Sequence, residues 1–336
     1  MISDIGHLVI GPVTHGVVRC AISVRNALKD IGEKHPMARL DNPDADIPTD
    51  VQQCGLVHIH VTDRLFGRNP AAAAHALRAT VRRLDRPVSV TLHDIPQLSD
   101  GPAMRARIEF YREAAASAVG VVVSSGHEAT LLAEHVDANL KPEIVPLMIE
   151  RHPVARPAPT AERTVGVLGF LYPGKGHIET LDALRDLPPT VGFVALGTPS
   201  PGHEDLVDEL HAAAAGSGRA CEVTGFLDDA ELRARAARVT VPVAYHRHMS
   251  ASGSVNSWIA VGRRPLVPRT PYTQELDARS PGMVQLHDND DRALRTAIAH
   301  AVANPSSTWL DTSTVPSPSP ADVALAYSEL LRRWSR

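Results

Sequence analysis

Aromatic side chains make up only 4% of this chain, five Phe, five Tyr and three Trp in 336 residues. Its cores must therefore be built from Ala, Val, Leu and Ile. Cysteine is equally scarce. Cys20, Cys54 and Cys221 lie far apart, without the spacing of a metal knuckle or a redox pair, which excludes a disulfide scaffold and implies reduced thiols. No window reaches the roughly 20 apolar residues that a membrane span needs. The start, Met-Ile-Ser-Asp-Ile-Gly-His, has neither the basic nor the apolar part of a secretory signal, so a cytoplasmic location is expected. Charge of one sign is missing too. With 34 Lys and Arg against 38 Asp and Glu, the net charge is −4, which gives no global attraction to nucleic acid or to a membrane surface. What remains, 43% hydrophobic and 21% charged residues, is the make-up of a water-soluble globular protein long enough for two domains.

Short apolar runs alternate with amphipathic stretches along the first half. Strands are expected at His7–Ile10, Leu56–Val61, Pro87–Leu92, Val119–Val123 and Glu143–Pro146, with helices at Val17–Ile31, Ala71–Leu84, Arg105–Ser117 and Glu128–Glu134. This alternation predicts a parallel sheet covered by helices on both faces. Prolines at 153, 157 and 159 make a stiff extended connector and a natural boundary. The second half repeats the pattern, with strands at Val165–Leu168, Val191–Leu196, Glu222–Thr224, Val239–Ala244 and Pro265–Val267. Helices are expected at His177–Leu184, Leu206–Ala215, Ala230–Ala237 and Ser254–Val261. A Ser/Pro segment from Thr312 to Pro320 precedes a last helix, Ala321–Trp334. The expected organisation is an N-terminal Rossmann-like domain over 1–150, a linker over 151–162 and a C-terminal Rossmann-like domain over 163–312. Residues 313–336 would form a second linker and a helix that packs back on the first domain.

Ligands of open α/β sheets bind beyond the carboxyl ends of the strands. The unusual residues gather there: Gly11 to Gly16, His60, His93-Asp94, Ser124-Ser125, Gly169 to Gly176, Gly197 and His246 to Ser254. The most informative stretch is Val165-Gly-Val-Leu-Gly-Phe-Leu-Tyr-Pro-Gly-Lys-Gly-His177, a buried strand running into a glycine-rich loop and a helix. Gly174 and Gly176 let backbone approach an anion, the helix start offers free N–H groups, and Lys175 adds a full charge. Such turns are also common without any phosphate, and this one is neither of the two best-known phosphate loops. His58 and His60 share one face of their strand. No carboxylate or third His follows at useful spacing, so they are read as strand-end histidines lining a cleft rather than as zinc ligands.

In co-linear order these features resemble the retaining nucleotide-sugar glycosyltransferases of the GT-B fold, the large family that includes sucrose-phosphate synthases and bacterial mannosyl- and glucosyltransferases. The resemblance rests on Thr14-His-Gly-Val-Val-Arg19, Val90-Thr-Leu-His-Asp94, Val121-Val-Val-Ser-Ser125, Gly169-Phe-Leu-Tyr-Pro-Gly-Lys-Gly176, Thr224-Gly-Phe-Leu-Asp-Asp-Ala-Glu-Leu232 and Gly253 to Val267. It implies two Rossmann-like domains facing a central cleft. It also implies transfer of a sugar from a nucleotide-diphosphate sugar, the donor substrate, to an unidentified acceptor, with retention and with neither metal nor cofactor. Two departures stand out. The family's Arg beside the donor phosphates is Phe170 here. Its two glutamates, eight apart, fall near Ser250 and at Ser257 or Trp258, where Ser250-Ala-Ser-Gly-Ser-Val-Asn256 carries no acid.

On this resemblance His93 contacts the transferred sugar and Lys175 the leaving diphosphate. His15, Gly16 and Asp94 lie beside acceptor or phosphates, and Phe226 and Leu227 receive the base. Ser252, Gly253 and Ser254 would open a helix onto the diphosphate beside Gly174, where ordinary capping by Ser252 is an equal reading. Arg247 would stand in for the lost guanidinium, and Asn256 would bond a sugar or ribose hydroxyl. Arg78, Arg82, Arg83 and Arg86 place several charges on one helical face, either a solvated surface or a peripheral membrane contact. A sugar-nucleotide binder without catalysis is the alternative. An epimerase lacks its acids and bases, a glycosidase its carboxylate pair, and a dehydrogenase its fingerprint.

Overall fold

The computed structural model describes residues 4–152, 154–158, 162–311 and 313–336. Residues 1–3 of the expected signal-free start, the connector prolines 153 and 159, and Thr312 at the head of the Ser/Pro segment lie outside the described residues. The chain divides into two compact units, Met1–Met148 with Pro318–Arg336, and Ile149–Ser317. No helix among the described residues is long and apolar enough to cross a membrane.

In the first unit six parallel strands, β1 (Ile5–Ile10), β2 (Met37–Leu40), β3 (Leu56–Val61), β4 (Val88–Leu92), β5 (Gly120–Val123) and β6 (Glu143–Ile144), lie in the order β2-β1-β3-β4-β5-β6. β1, β3 and β4 are buried along their whole length, as strands covered on both faces must be. One face packs on Leu77, Phe110 and Tyr111. The other packs on Val24 and Leu28 from the helix Gly16–Asp30 and on Tyr327 and Leu331 from the last helix, Pro320–Trp334. The last helix comes close because β5 starts with glycine: a Cβ on Gly120 would sit 2.1 Å from the Trp334 ring.

In the second unit β7 (Arg163–Leu168), β8 (Val191–Leu196), β9 (Cys221–Val223), β10 (Val241–Val243), β11 (Leu266–Pro268) and β12 (Gln285–His287) are again all parallel, in the order β12-β11-β10-β7-β8-β9. Chain order reverses between β1 and β3 in the first sheet and between β7 and β10 in the second. Strands diverge above such a reversal and leave a crevice at their carboxyl ends.

The strand–helix alternation does not mark β2, β12 or the helices Pro271–Arg279 and Asp291–Ala303. β2 and β12 are edge strands of three or four residues with half-exposed positions, too short for a periodic signal.

His58 and His60 do not line a cleft. Both are fully buried on the first sheet's inner face, where a file of imidazoles replaces the missing aromatics. His7 bonds His35 at 3.1 Å and meets the His58 ring edge-on at 5.8 Å. His58 bonds Ser89 Oγ and Thr91 Oγ1, both at 2.9 Å, and Thr91 Oγ1 bonds the Tyr327 hydroxyl at 2.9 Å. His60 Nδ1 bonds His93 Nε2 at 3.0 Å. Burial holds these rings neutral, lowering His58 to about 3, His93 to about 4, and His7 and His60 well below the ordinary value. A ring that stays neutral in the fold but takes a proton at about pH 6.5 when unfolded favours the fold above that pH and loses its contribution as pH falls towards the folded value. Thermal unfolding followed from pH 7 to pH 4 should show the first unit losing stability progressively below pH 6.5. A flat profile over that range would contradict buried neutral histidines.

Candidate functional site

The second unit's crevice lies where the loops after β7 and β10 meet. β7 ends at Gly169 with φ +114°, and Gly197, after β8, backs onto it so closely that a Cβ there would stand 2.1 Å from the Gly169 carbonyl oxygen. The loop then turns through Gly174 and Gly176, at φ +86° and +93°, which L side chains rarely adopt. A Cβ on Gly176 would lie 2.3 Å from the Tyr245 carbonyl oxygen, so only glycine lets the two loops close.

That closure buries Lys175, which is 7% exposed. Its Nζ donates to Ser254 Oγ at 3.0 Å and lies 5.8 Å from the Tyr172 ring centroid. No carboxylate pairs with it among the described residues. Desolvation alone lowers its pKa to about 7. Ser254 is in the first turn of the helix Gly253–Ala260. Ser252 caps that helix by accepting from Val255 N at 3.3 Å, and its hydroxyl bonds Ser254 Oγ at 3.1 Å.

Two histidines complete the pocket of unused polar atoms. Both ring nitrogens of His177, and Nε2 of His246, are buried without a partner among the described residues. Burial lowers both pKa values, and the Lys175 charge lowers them further. An unpaired ammonium, idle imidazole nitrogens, hydroxyls and a helix start together suit a ligand rich in anionic oxygen.

Lys175, Ser252, Gly253 and Ser254 are thus brought together, with Gly174 one residue from the lysine. Asn256 is buried on the same helix. Arg247 is already committed elsewhere: its Nη2 bonds Asp291 at 2.9 Å, and Glu179 lies at 3.9 Å. A guanidinium held by two carboxylates is a poor replacement for the one the phosphates lack. Phe226 is 63% exposed beyond β9, whereas Leu227 packs on the buried cluster that includes Leu168, Leu196 and Trp258. Trp258 is wholly buried and the Ser257 hydroxyl is spent on Gly253 O at 2.9 Å, so neither position can do the work of a carboxylate.

On the first unit His15 caps the helix Gly16–Asp30, its Nδ1 accepting from Val17 N at 3.2 Å. His93 and Asp94 extend the end of β4. Asp94 is left-handed at φ +54°, and its carboxylate accepts from Thr62 Oγ1 at 3.1 Å. The Tyr111 hydroxyl donates to both the His93 and the Asp94 carbonyls, and Arg107 Nη2 donates to the Asp94 carbonyl at 2.6 Å. Arg107 is itself fixed by Asp63 at 3.1 Å and Asp100 at 2.5 Å. Sequence reading misses Arg107, Tyr111 and Asp63, and it places His177 and His246 beyond the strand ends without giving either a role. Nothing in Met104-Arg-Ala-Arg107 separates a buried clamp from a solvated arginine. Of the basic face, Arg78 pairs with Glu113, Arg83 with the Ala45 carbonyl and Arg86 with the Gln52 carbonyl.

No family model and no curated protein matches the chain. Solved structures match its fold. HepE from Anabaena, in complex with UDP and glucose, superposes with a TM-score of 0.75 at 15% identity, over 98% of this chain and 99% of that one. A sucrose-phosphate synthase from Thermosynechococcus elongatus gives 0.75 at 14% identity, over 98% of each chain. The lipopolysaccharide outer core galactosyltransferase WaaB, in its apo form, gives 0.62 at 8% identity, over 98% and 99%. The chain therefore has the two-domain GT-B fold.

A buried ammonium makes one prediction without any ligand. Between its folded pKa of about 7 and its unfolded value near 10.4, Lys175 binds more protons unfolded than folded, so its contribution to stability rises with pH. Lys175→Met should raise the unfolding midpoint of the ligand-free protein near pH 7, and the difference should shrink towards pH 10. Equal midpoints at both pH values would place the ammonium in water.

Proposed function

We propose that this chain is a glycosyltransferase. It would move a sugar from a nucleotide-diphosphate sugar to an acceptor, with retention and with no metal at the diphosphate. The observation that carries this reading is Lys175, buried, free of carboxylates and bonded to Ser254 at the topological reversal of a nucleotide-binding type of sheet. HepE, which shares the fold, is known in complex with UDP-glucose as well as with UDP and glucose.

Breaking the anomeric bond leaves negative charge on the departing diphosphate and positive charge on the ring. Lys175, the Ser252 and Ser254 hydroxyls and the free N–H groups of the helix Gly253–Ala260 stabilise the former where water is excluded. His177 and His246 gain acceptors for their idle nitrogens. The Phe226-Leu227 turn takes the base through its backbone, and Asn256 takes a hydroxyl of the sugar or ribose. His93, neutral and fixed by its carbonyl clamp, is assigned to the transferred sugar as a hydrogen-bonding group rather than a base. His15, Gly16 and Asp94 are assigned to the acceptor or phosphates. The Arg78, Arg82, Arg83 and Arg86 face, three of whose guanidiniums bond within the unit, is assigned to solvent or to a peripheral membrane contact.

The second reading, a nucleotide-sugar binder without catalysis, is favoured by Phe170 and by the acid-free Ser250–Asn256 segment. UDP-, GDP- and ADP-sugars screened by thermal shift should single out one nucleotide. Lys175→Ala should weaken that nucleotide diphosphate about 10- to 100-fold, the size of a charge-assisted contact. Unchanged binding would remove Lys175 from the site. Because a bound diphosphate raises the lysine's pKa, wild-type affinity should be greatest below pH 7. It should fall by up to about tenfold per pH unit above it, and titration calorimetry with Lys175→Ala should show no such slope. Binding without diphosphate release across an acceptor panel would decide for the second reading.

A further inference from the structure

The imidazole file of the first unit ends in a group that glycosyl transfer does not need. Cys20, on the helix Gly16–Asp30, offers a sulfur, and His60 and His93 each offer a ring nitrogen. These three atoms all lie within 4.8 Å of one another. We propose that Cys20, His60 and His93 form a binding site for a borderline-soft divalent cation, Zn2+.

The set is invisible as a spacing because its members come from a helix, a strand and a strand end. It differs from the pair that sequence alone suggests, since both nitrogens of His58 are used by Ser89 and Thr91. His60 is the informative member. It is 1% exposed, and its Nδ1 faces His93 Nε2 at 3.0 Å, so the two ring nitrogens already converge on one point. The donors fit the cation. One thiolate and two imidazoles exclude Mg2+ and Ca2+, which take oxygen, and select the zinc class. Three protein ligands leave a fourth position for water. Zn–N and Zn–S bonds of about 2.0–2.3 Å put ligand atoms about 3.3–3.8 Å apart, so side-chain rotation of about an ångström closes the set. Cys20 is partly exposed as a residue, and His93 stands at the strand end.

On binding, the Cys20 thiol gives its proton to solvent and forms the S–Zn bond. If His60 Nδ1 and His93 Nε2 are the ligating nitrogens, the N–H between them is replaced by two N–Zn bonds and its proton moves to the far nitrogen of the same ring. One proton leaves per ion. A cation here holds the ring assigned above to the sugar, so zinc and turnover would exclude each other. That consequence rests on the glycosyl-transfer reading; the site does not.

The test is a Co2+ titration of the full chain, reduced and stripped of metal. One equivalent should produce a thiolate-to-cobalt charge-transfer band with the intense visible bands of four-coordinate cobalt, and Zn2+ should bleach both. Cys20→Ser should abolish the charge-transfer band and His60→Gln should weaken Co2+ at least tenfold, while Cys54→Ser and Cys221→Ser leave the spectrum intact. No charge-transfer band in the wild type, or one that survives in Cys20→Ser, overturns the site. Should either variant fail to fold, the wild type decides: Zn2+ must protect Cys20 from alkylation, read by mass spectrometry, and equal labelling with and without Zn2+ overturns it.

Discussion

The second unit is organised around an ammonium group taken out of water without an anion to meet it. Burying a lone charge is costly, and here it is achieved by backbone geometry. Gly176 admits the Tyr245 carbonyl, Gly197 admits the Gly169 carbonyl, and the loops after β7 and β8 join through the Leu171–Pro199 bridge. Lys175 is left with one hydroxyl partner and a pKa near neutrality. Hydroxyls and idle imidazoles around the lysine suit the oxyanion proposed above.

The first unit solves the opposite problem. Its imidazole core is neutral and nearly satisfied, with each ring passing to a hydroxyl or to the next ring. Two of its non-glycine residues, Asp85 at the end of the helix Pro70–Leu84 and Asp94 after β4, lie in the left-handed region, and the strain at Asp94 falls in the candidate site. Such strain persists only where the surroundings over-determine it, and two side chains do so here. Tyr111 and Arg107 both grip the carbonyls of this turn, and Asp63 and Asp100 fix Arg107 in turn. The outcome is a His93 whose backbone, ring and protonation state are all set before any ligand comes.

Much of this was legible in the residues. Alternating apolar runs marked the long central strands, because strands buried on both faces must be continuously apolar. Glycine spacing marked the Lys175 loop, because only glycine tolerates positive φ and close carbonyls. Legibility failed where the cause is tertiary. β2 and β12 are strands only because a neighbour offers a ladder, and Arg107 is a clamp only because four elements converge on it. His58 and His60 misled for the same reason. Period two put both on one face, but only the packing of Tyr327 and the helix Gly16–Asp30 made that face interior. Arg247 looked free until Asp291, far along the chain, took its charge.

The missing acids and the missing arginine are best weighed together. Against the glycosyltransferase pattern that the sequence resembles, the proposed donor site has one cation fewer, at Phe170, and two anions fewer, near Ser250 and at Ser257 or Trp258. Lys175 remains. The pattern with one arginine, one lysine and two glutamates is formally neutral around the donor, whereas this site carries up to one net positive charge. Attraction for a diphosphate is therefore not what the substitutions remove. Glutamates that hold sugar and ribose act through directed acceptance from hydroxyls, and serine and asparagine offer that function with weaker, neutral hydrogen bonds. On the proposed reading, the chemistry left to this chain is strong anchoring at the phosphates and looser orientation at the sugar.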